Sequence, residues 1–323
     1  MTFTLPLTGT GRAHAKAILV GEHAVVYGAP ALAIPIPELS VRATLEAAPA
    51  PAVASSLYRG PLADAPPRLA PLTAAVEAAR HRLGLPPLSV TVLSTIPTAR
   101  GLGSSAAVAS AIVAAAADAA GVRLGPDERY ALVQQSERAA HGAPSGIDAR
   151  AVAADTAIRF SVVETPAPVV VTAPVAFVVA DSGVRRSSAD AVDRVRVLRQ
   201  ADRRAVDRIV AELGDIADPA AQALAAARAD ELGDLLERAH GLLRRLRVST
   251  PRLDALVDAA RRGGSPGAKL TGGGRGGCIV AVAPHPDGAA RLVSVLRDAG
   301  AARVWTTVIG GDGPRTDATE TPA

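Results

Sequence analysis

Apolar and polar residues alternate over Leu88–Thr95, which predicts a β-strand with one buried face. Apolar residues also flank Gly21-Glu22-His23, and Gly28-Ala29-Pro30 is a second turn signal. Gly11–Pro37 is therefore predicted as strand, turn, strand. Leu69–Leu83 has a helical pattern, and the loop Pro97–Gly103 opens into an Ala-rich helix over Ser104–Ala120. Pro126 begins another helix that reaches about Ala140, followed by a polar turn, His141–Ile147. Three β-like runs come next, at Ala157–Val163, Val169–Val171 and Val175–Ala180, and helical patterns dominate from Ser188 to Arg262. The chain closes with strand Ala268–Thr271, a glycine loop, strand Cys278–Ala283, helix Asp287–Ala299 and strand Arg303–Ile309. Ala47–Pro67 is rich in Ala, Pro and Ser without periodicity and is expected to be a loop or lid.

Both halves mix α and β, and 323 residues suit about two domains. The expected division is 1–172 and 173–309, with 310–323 a disordered tail. Hydrophobic residues are 49% and charged residues 20%, which excludes bulk disorder. Aromatics are only 2%, so Ala, Val and Leu must fill the cores. No apolar run reaches the roughly 18–20 residues of a membrane span, and Met1–Gly11 lacks the pattern of a secretory signal. One cysteine, Cys278, excludes an intrachain disulfide and, with six histidines, argues against structural zinc. A cytoplasmic protein without a membrane partner is expected.

Charge narrows the choice further. Thirty-five basic against 31 acidic residues leave only +4 over the whole chain. The richest basic stretch, Arg185–Arg208, interleaves its arginines with Asp190, Asp193, Asp202 and Asp207 and lacks stacking aromatics. It reads as a solvated helix face, and no nucleic-acid partner is expected. Among the 35 bases only Lys16 and Lys269 are lysine, which suggests a need for a compact ammonium at those two places.

Three segments carry the chemistry. Gly101-Leu102-Gly103-Ser104-Ser105-Ala106 lies between a predicted strand and a helix, where bare backbone N–H groups and the helix start suit a phosphate. Its serines can cap the helix, or bind phosphate oxygen or a metal. The hexapeptide also fits the loose dinucleotide pattern, on which a NAD-dependent dehydrogenase would rest. However, it is not in a first βα turn, and the helix after it leads into another helix. The second segment, Lys269–Cys278, has five glycines between two strands. That is unfavourable for a bare hairpin and suits close backbone approach to a ligand. The third, Glu137–Asp148, places one acid at a helix end and another beyond a Gly/Pro/Ser turn, as metal–nucleotide chemistry and an acceptor hydroxyl would need.

Gly11–Gly28, Pro97–Ala107 and Lys269–Cys278 follow the order of the three motifs of the GHMP kinases, the superfamily of galactose, homoserine, mevalonate and phosphomevalonate kinases. Within it, Lys-Ala-Ile-Leu-Val-Gly-Glu-His-Ala-Val-Val-Tyr-Gly and Glu-Arg-Ala-Ala-His-Gly-Ala-Pro-Ser-Gly-Ile-Asp resemble the mevalonate kinase branch. The resemblance runs from about residue 11 to 309.

It implies a two-domain α+β fold, with an N-terminal ribosomal-protein-S5-like domain, a C-terminal ferredoxin-like α/β domain and the active site between them. ATP would be bound by Pro97, Arg100, Gly101, Leu102, Gly103, Ser104, Ser105 and Ala106, with Gly272, Gly273 and Gly274. Ser105 and Glu137 match the Mg²⁺ positions. Asp148 matches the catalytic aspartate, and Lys16 the lysine that holds it. Glu22, His23, Ser145, Gly146 and Ser188 match the side that would take mevalonate, and Asp181–Arg185 with Ser187 resembles a segment lining the same pocket. Phosphomevalonate kinase is the nearest alternative, and a homodimer stays open. Arg275 stands where the family usually has glycine and is expected to face solvent.

Overall fold

Alternation along β1 (Thr8–Val20) holds only as far as Ala13; from Ala15 onward every residue is buried. The change marks where the strand becomes covered on both faces, by an Ala-rich helix on one and by elements of the C-terminal half on the other. The computed structural model in which this is seen describes residues 7–141, 144–185 and 188–311.

β1 pairs antiparallel with the long β2 (Ala31–Ala47), with register shifts at His14/Ala15 and Ile18/Val20. β3 (Ala52–Ala54) and β4 (Arg59–Pro61) follow, then α1 (Ala70–Leu83), β5 (Leu88–Ser94), α2 (Ser104–Ala119), α3 (Pro126–His141) and the short α4 (Ile147–Ala151). β6 (Ala157–Phe160) and β7 (Ala167–Val169) complete a seven-stranded sheet of order β4-β3-β5-β2-β6-β7, with β1 on the other edge of β2. The span expected as a loop, Ala47–Pro67, therefore contributes two strands. Val53 is 1% exposed, and β3 runs parallel to β5, so a single buried valine anchors a segment with no readable periodicity.

The second layer comprises β8 (Val175–Asp181), α5 (Ser188–Ala201), α6 (Arg203–Ala225), α7 (Ala229–Arg245), α8 (Pro251–Arg262), β9 (Gly267–Thr271), β10 (Cys278–Val282), α9 (Ala289–Asp298) and β11 (Arg303–Ile309). Its sheet is antiparallel throughout, in the order β11-β8-β10-β9. Caps divide the long helical stretch. Asp202 accepts from the Ala205 N–H at the start of α6, and Thr250 from the Leu253 N–H ahead of Pro251 at the start of α8. The arginine-rich face of α5 and α6 carries the expected ion pairs, among them Arg196–Asp193, Arg199–Asp207 and Arg203–Asp207.

α2 lies directly on β1. A Cβ at Gly11 would sit 2.2 Å from the Ala111 carbonyl oxygen, so bare glycine backbone lets the alanine helix approach. Small residues at this interface account for a core with almost no aromatics. Among the described residues no helix is long and apolar enough to cross a membrane. Residues 312–323, the greater part of the expected tail, lie outside the described residues.

Candidate active site

The first turn of α2 opens on Gly103, whose φ of +74° few side chains tolerate, and no side chain caps the helix. The serine-cap reading of the motif is therefore not what the structure shows. The N–H groups of Ser104, Ser105 and Ala106 precede the first α-helical hydrogen bond, Ala107 N–H to Gly103 O, and leave a donor-rich helix end. Ala99 and Gly101 in the preceding loop also have positive φ, +57° and +80°. Ser105 Oγ donates instead to Glu137 Oε1 at 2.6 Å. Burial, and then the charge of Asp148, push the Glu137 carboxyl up to about 7 against the opposing effects of Ser105 and Lys16.

Lys16, 1% exposed, links this loop to the acid beyond it. Its Nζ is 2.8 Å from Asp148 Oδ1 and donates to the Gly101 carbonyl at 3.1 Å, while its backbone N–H donates to Leu102 O. A Cβ at Gly103 would come within 3.1 Å of the Lys16 side chain, so this glycine makes room for the lysine. Asp148 lies in the first turn of α4, behind Gly146, whose φ is +93° and whose Cβ would collide with the Tyr130 hydroxyl at 2.1 Å. The Asp148 side chain is 35% exposed, so its carboxylate is both held and open.

Beyond β1 the backbone turns sharply, with φ of +96° at Gly21 and +62° at His23. Two elements of the C-terminal half fix this turn. The Lys269 ammonium on β9 bonds Glu22 Oε1, and His23 Nε2 lies 2.9 Å from the Gly273 carbonyl, so that nitrogen carries the proton. Thr271 Oγ1 donates to Ile18 O and accepts from Ile18 N–H. Burial raises the Glu22 carboxyl and lowers the Lys269 ammonium, each opposed by its partner.

Lys16, Asp148, Ser105, Glu137, Glu22 and His23 share a cavity of about 470 Å³, with Lys269 and Thr271 buried behind it. Of the residues expected from sequence, Lys16, Glu22, His23, Arg100, Gly101, Gly103, Ser104, Ser105, Glu137, Ser145, Gly146, Asp148, Gly272 and Gly273 line it. Others depart. Leu102 and Ala106 point into the apolar core at 1% and 0% exposure, and Gly274 packs against the Val248 carbonyl. Pro97 does not line the cavity; it sits one turn back in the approach to the loop. Asp181 is also off the cavity. Its Oδ2 accepts from Arg100 Nε at 2.8 Å, and its Oδ1 from the Gly183 N–H. Arg100, expected on ATP, is thus tied to the second sheet, and Arg185 reaches Thr98 Oγ1 in the same way. Ser188 starts α5, but its side chain and Ser187 lie outside the described residues. Arg275 is exposed, with φ of +60°. Sequence reading missed the Arg100–Asp181 and Lys269–Glu22 pairs. The scarcity of lysine was the one signal that pointed to the second.

Two family models match the chain: GHMP kinases N terminal domain over residues 71–155, and GHMP kinases C terminal over 220–302. The mevalonate kinase of Thermococcus gammatolerans is 33% identical over 84% of this chain and 88% of its own length, and that of Aeropyrum pernix 31% over 93% and 95%. Among solved structures, L. major mevalonate kinase in complex with R-mevalonate has a TM-score of 0.81 at 25% identity, covering 96% of this chain and 98% of that one. Streptococcus pneumoniae phosphomevalonate kinase shares the fold, with a TM-score of 0.80 at 18% identity, covering 92% and 99%. With a donor-rich glycine loop at a helix end, a lysine-held aspartate and a second glycine loop around one cavity, and with relatives matched over nearly their full length, the chain belongs to the GHMP kinases.

Proposed function

We propose that the protein is a mevalonate kinase, transferring the γ-phosphoryl group of ATP to the 5-hydroxyl of mevalonate. The observation that carries this reading is the Lys16–Asp148 pair at 2.8 Å, set in one cavity with the helix-end loop Gly101–Ser105. The curated relatives bearing that name, at 31–33% identity over most of the chain, support it. We also infer that the chain divides into domains at 172/173.

The roles follow from position. The N–H groups at the start of α2 and the glycines of the second loop take phosphate oxygens, and the positive end of the helix favours their charge. Asp148 accepts the hydrogen bond of the acceptor hydroxyl. As the hydroxyl oxygen bonds to the γ-phosphorus, the β–γ bridging P–O bond breaks with its electron pair on ADP, and the hydroxyl proton passes to Asp148. Lys16 orients Asp148 and, through the Gly101 carbonyl, fixes its distance from the loop. Positioning of this kind supplies much of the rate for a loose transition state.

The residues present fit Mg²⁺. Ser105 and Glu137 offer hard oxygen donors 2.6 Å apart beside the loop, and Mg²⁺ is commonly held by one or two carboxylates together with substrate phosphates. Glu137 is a buried acid with a second acid nearby, an arrangement that a cation relieves. When bound there, the metal would neutralise charge on the phosphates. A coupled ADP-release assay with mevalonate, phosphomevalonate, galactose and homoserine tests the reading. Turnover on mevalonate at least a hundredfold above the others supports it, and preference for any other acceptor overturns it.

A further inference from the structure

This chain uses arginine at 33 positions and lysine at two, and both lysines are buried against carboxylates that line the same cavity. Lys16 meets Asp148. Lys269, 0% exposed on a strand buried along its whole length, meets Glu22 from the opposite sheet. Its ammonium has two acceptors, Glu22 Oε1 and the Leu270 carbonyl at 2.6 Å. A guanidinium would bring five donors and a larger plane into the same space and leave several donors unmatched. The site selects lysine by volume and by donor count.

Glu22 sits in a turn with no regular backbone pairing of its own, between residues of positive φ. Its carboxylate is held by the Lys269 ammonium and by a hydrogen bond with its own backbone, and Lys269 is the one side chain that bonds it among the described residues. Only one oxygen is used: Glu22 Oε2 is buried without a hydrogen-bond partner among the described residues. Glu22 lines the cavity together with Asp148, so a donor group on the bound acceptor is the chemistry that would complete this oxygen.

We propose that Lys269 is a positioning residue for the acceptor: by holding Glu22 Oε1 from β9, it presents Oε2 to a second hydroxyl of the bound hydroxy acid. The inference rests on the kinase reading above. It adds a residue of the C-terminal half to the acceptor side, and it makes recognition of the second hydroxyl depend on the two halves being docked.

The test compares the parent with Lys269→Met, Glu22→Gln and the doubly neutral Lys269→Met/Glu22→Gln, which removes both charges and guards against a folding failure of the first variant. Steady-state kinetics use mevalonate and its 3-deoxy analogue, with thermal midpoints and ATP titrations alongside. The parent should discriminate against the deoxy analogue at least tenfold in kcat/KM. Each variant should lose that discrimination, raise the mevalonate KM at least tenfold and keep the ATP KM within twofold, and the double variant should be no worse than the worse single. A purely structural lysine would lower the thermal midpoint and kcat together, with both KM values and the discrimination unchanged, and that result overturns the proposal. Absence of mevalonate turnover in the parent would instead overturn the kinase reading, a separate outcome.

Discussion

Ser105 Oγ donates to Glu137 Oε1 at 2.6 Å, joining the first turn of α2 to the C-terminal part of α3 across 32 residues of sequence. The bond makes the two serines at the start of α2 unequal. Ser105 is engaged with Glu137, whereas among the described residues no side-chain bond of Ser104 competes with its place in the cavity. Ser105→Ala should lower kcat by about 10–100-fold, as loss of an interaction made to the transferring group does, and Ser104→Ala by only a few-fold. Equal and small losses in a steady-state assay would leave neither hydroxyl a part in the transfer.

Glu137 gives a stability signature with a definite sign. Its carboxyl is raised from 4.5 to about 7, chiefly by burial. Between those values the folded protein keeps a proton that the unfolded chain has released. Stability in the absence of metal therefore falls as pH rises through that window, by about 3 kcal/mol in all at 1.36 kcal/mol per unit, and levels off above it. Glu137→Gln cannot ionise, so it should match the parent at pH 5 and exceed it at pH 8. Urea midpoints at the two pH values check this, and an equal difference at both contradicts it.

In the proposed mechanism Lys16 and Asp148, paired at 2.8 Å, act on one hydroxyl. Asp148→Asn should cut kcat by about 10³-fold, within the 10²–10⁴ usual for a general base, while ATP binding stays intact because the loop is untouched. Lys16→Met should also lower kcat, with little change in ATP affinity. The double variant should be no slower than Asp148→Asn alone, since the lysine works through the aspartate. Multiplicative losses in single-turnover kinetics would refute the pairing.

Gly11 tests the packing that carries the site. An added methyl would meet the Ala111 carbonyl at 2.2 Å and Ala115 N at 2.4 Å, and backbone atoms cannot step aside cheaply. Gly11→Ala should cost about 1–3 kcal/mol, the usual range for overpacking, and should push α2 outward with its loop. Denaturant midpoints give the stability term, and a fall in kcat greater than the loss of folded protein gives the second.

Much of the element order was legible in the chain. The strand at Leu88, the helices opened by Ser104 and Pro126, and the closing strand–helix–strand run stand where periodicity and turn residues put them, because those signals are local. The strands within Ala47–Pro67 were not legible, since their pairing with β5 and with each other is decided across the sheet by one buried valine and by backbone hydrogen bonds that leave no periodic trace. α4 was too short to announce itself; its first turn is set by Gly146 against Tyr130.

The same division holds at the site. By itself the sequence determined which chemical groups are available: two glycine loops, two lysines among 33 arginines, and two acids flanking a Gly/Pro/Ser turn. It did so because glycine in a tight loop and lysine in an arginine-rich chain are costly or selective choices wherever they stand. Only the tertiary structure decided the pairings: Lys16 with Asp148, Ser105 with Glu137, Lys269 with Glu22, and Arg100 with Asp181 rather than left free in the cavity. Charge and hydrogen bonding act through distance, and residues 32 to 247 positions apart acquire a distance only once helices and strands are packed, within the first half for Lys16–Asp148 and Ser105–Glu137 and between the two sheets for Lys269–Glu22 and Arg100–Asp181.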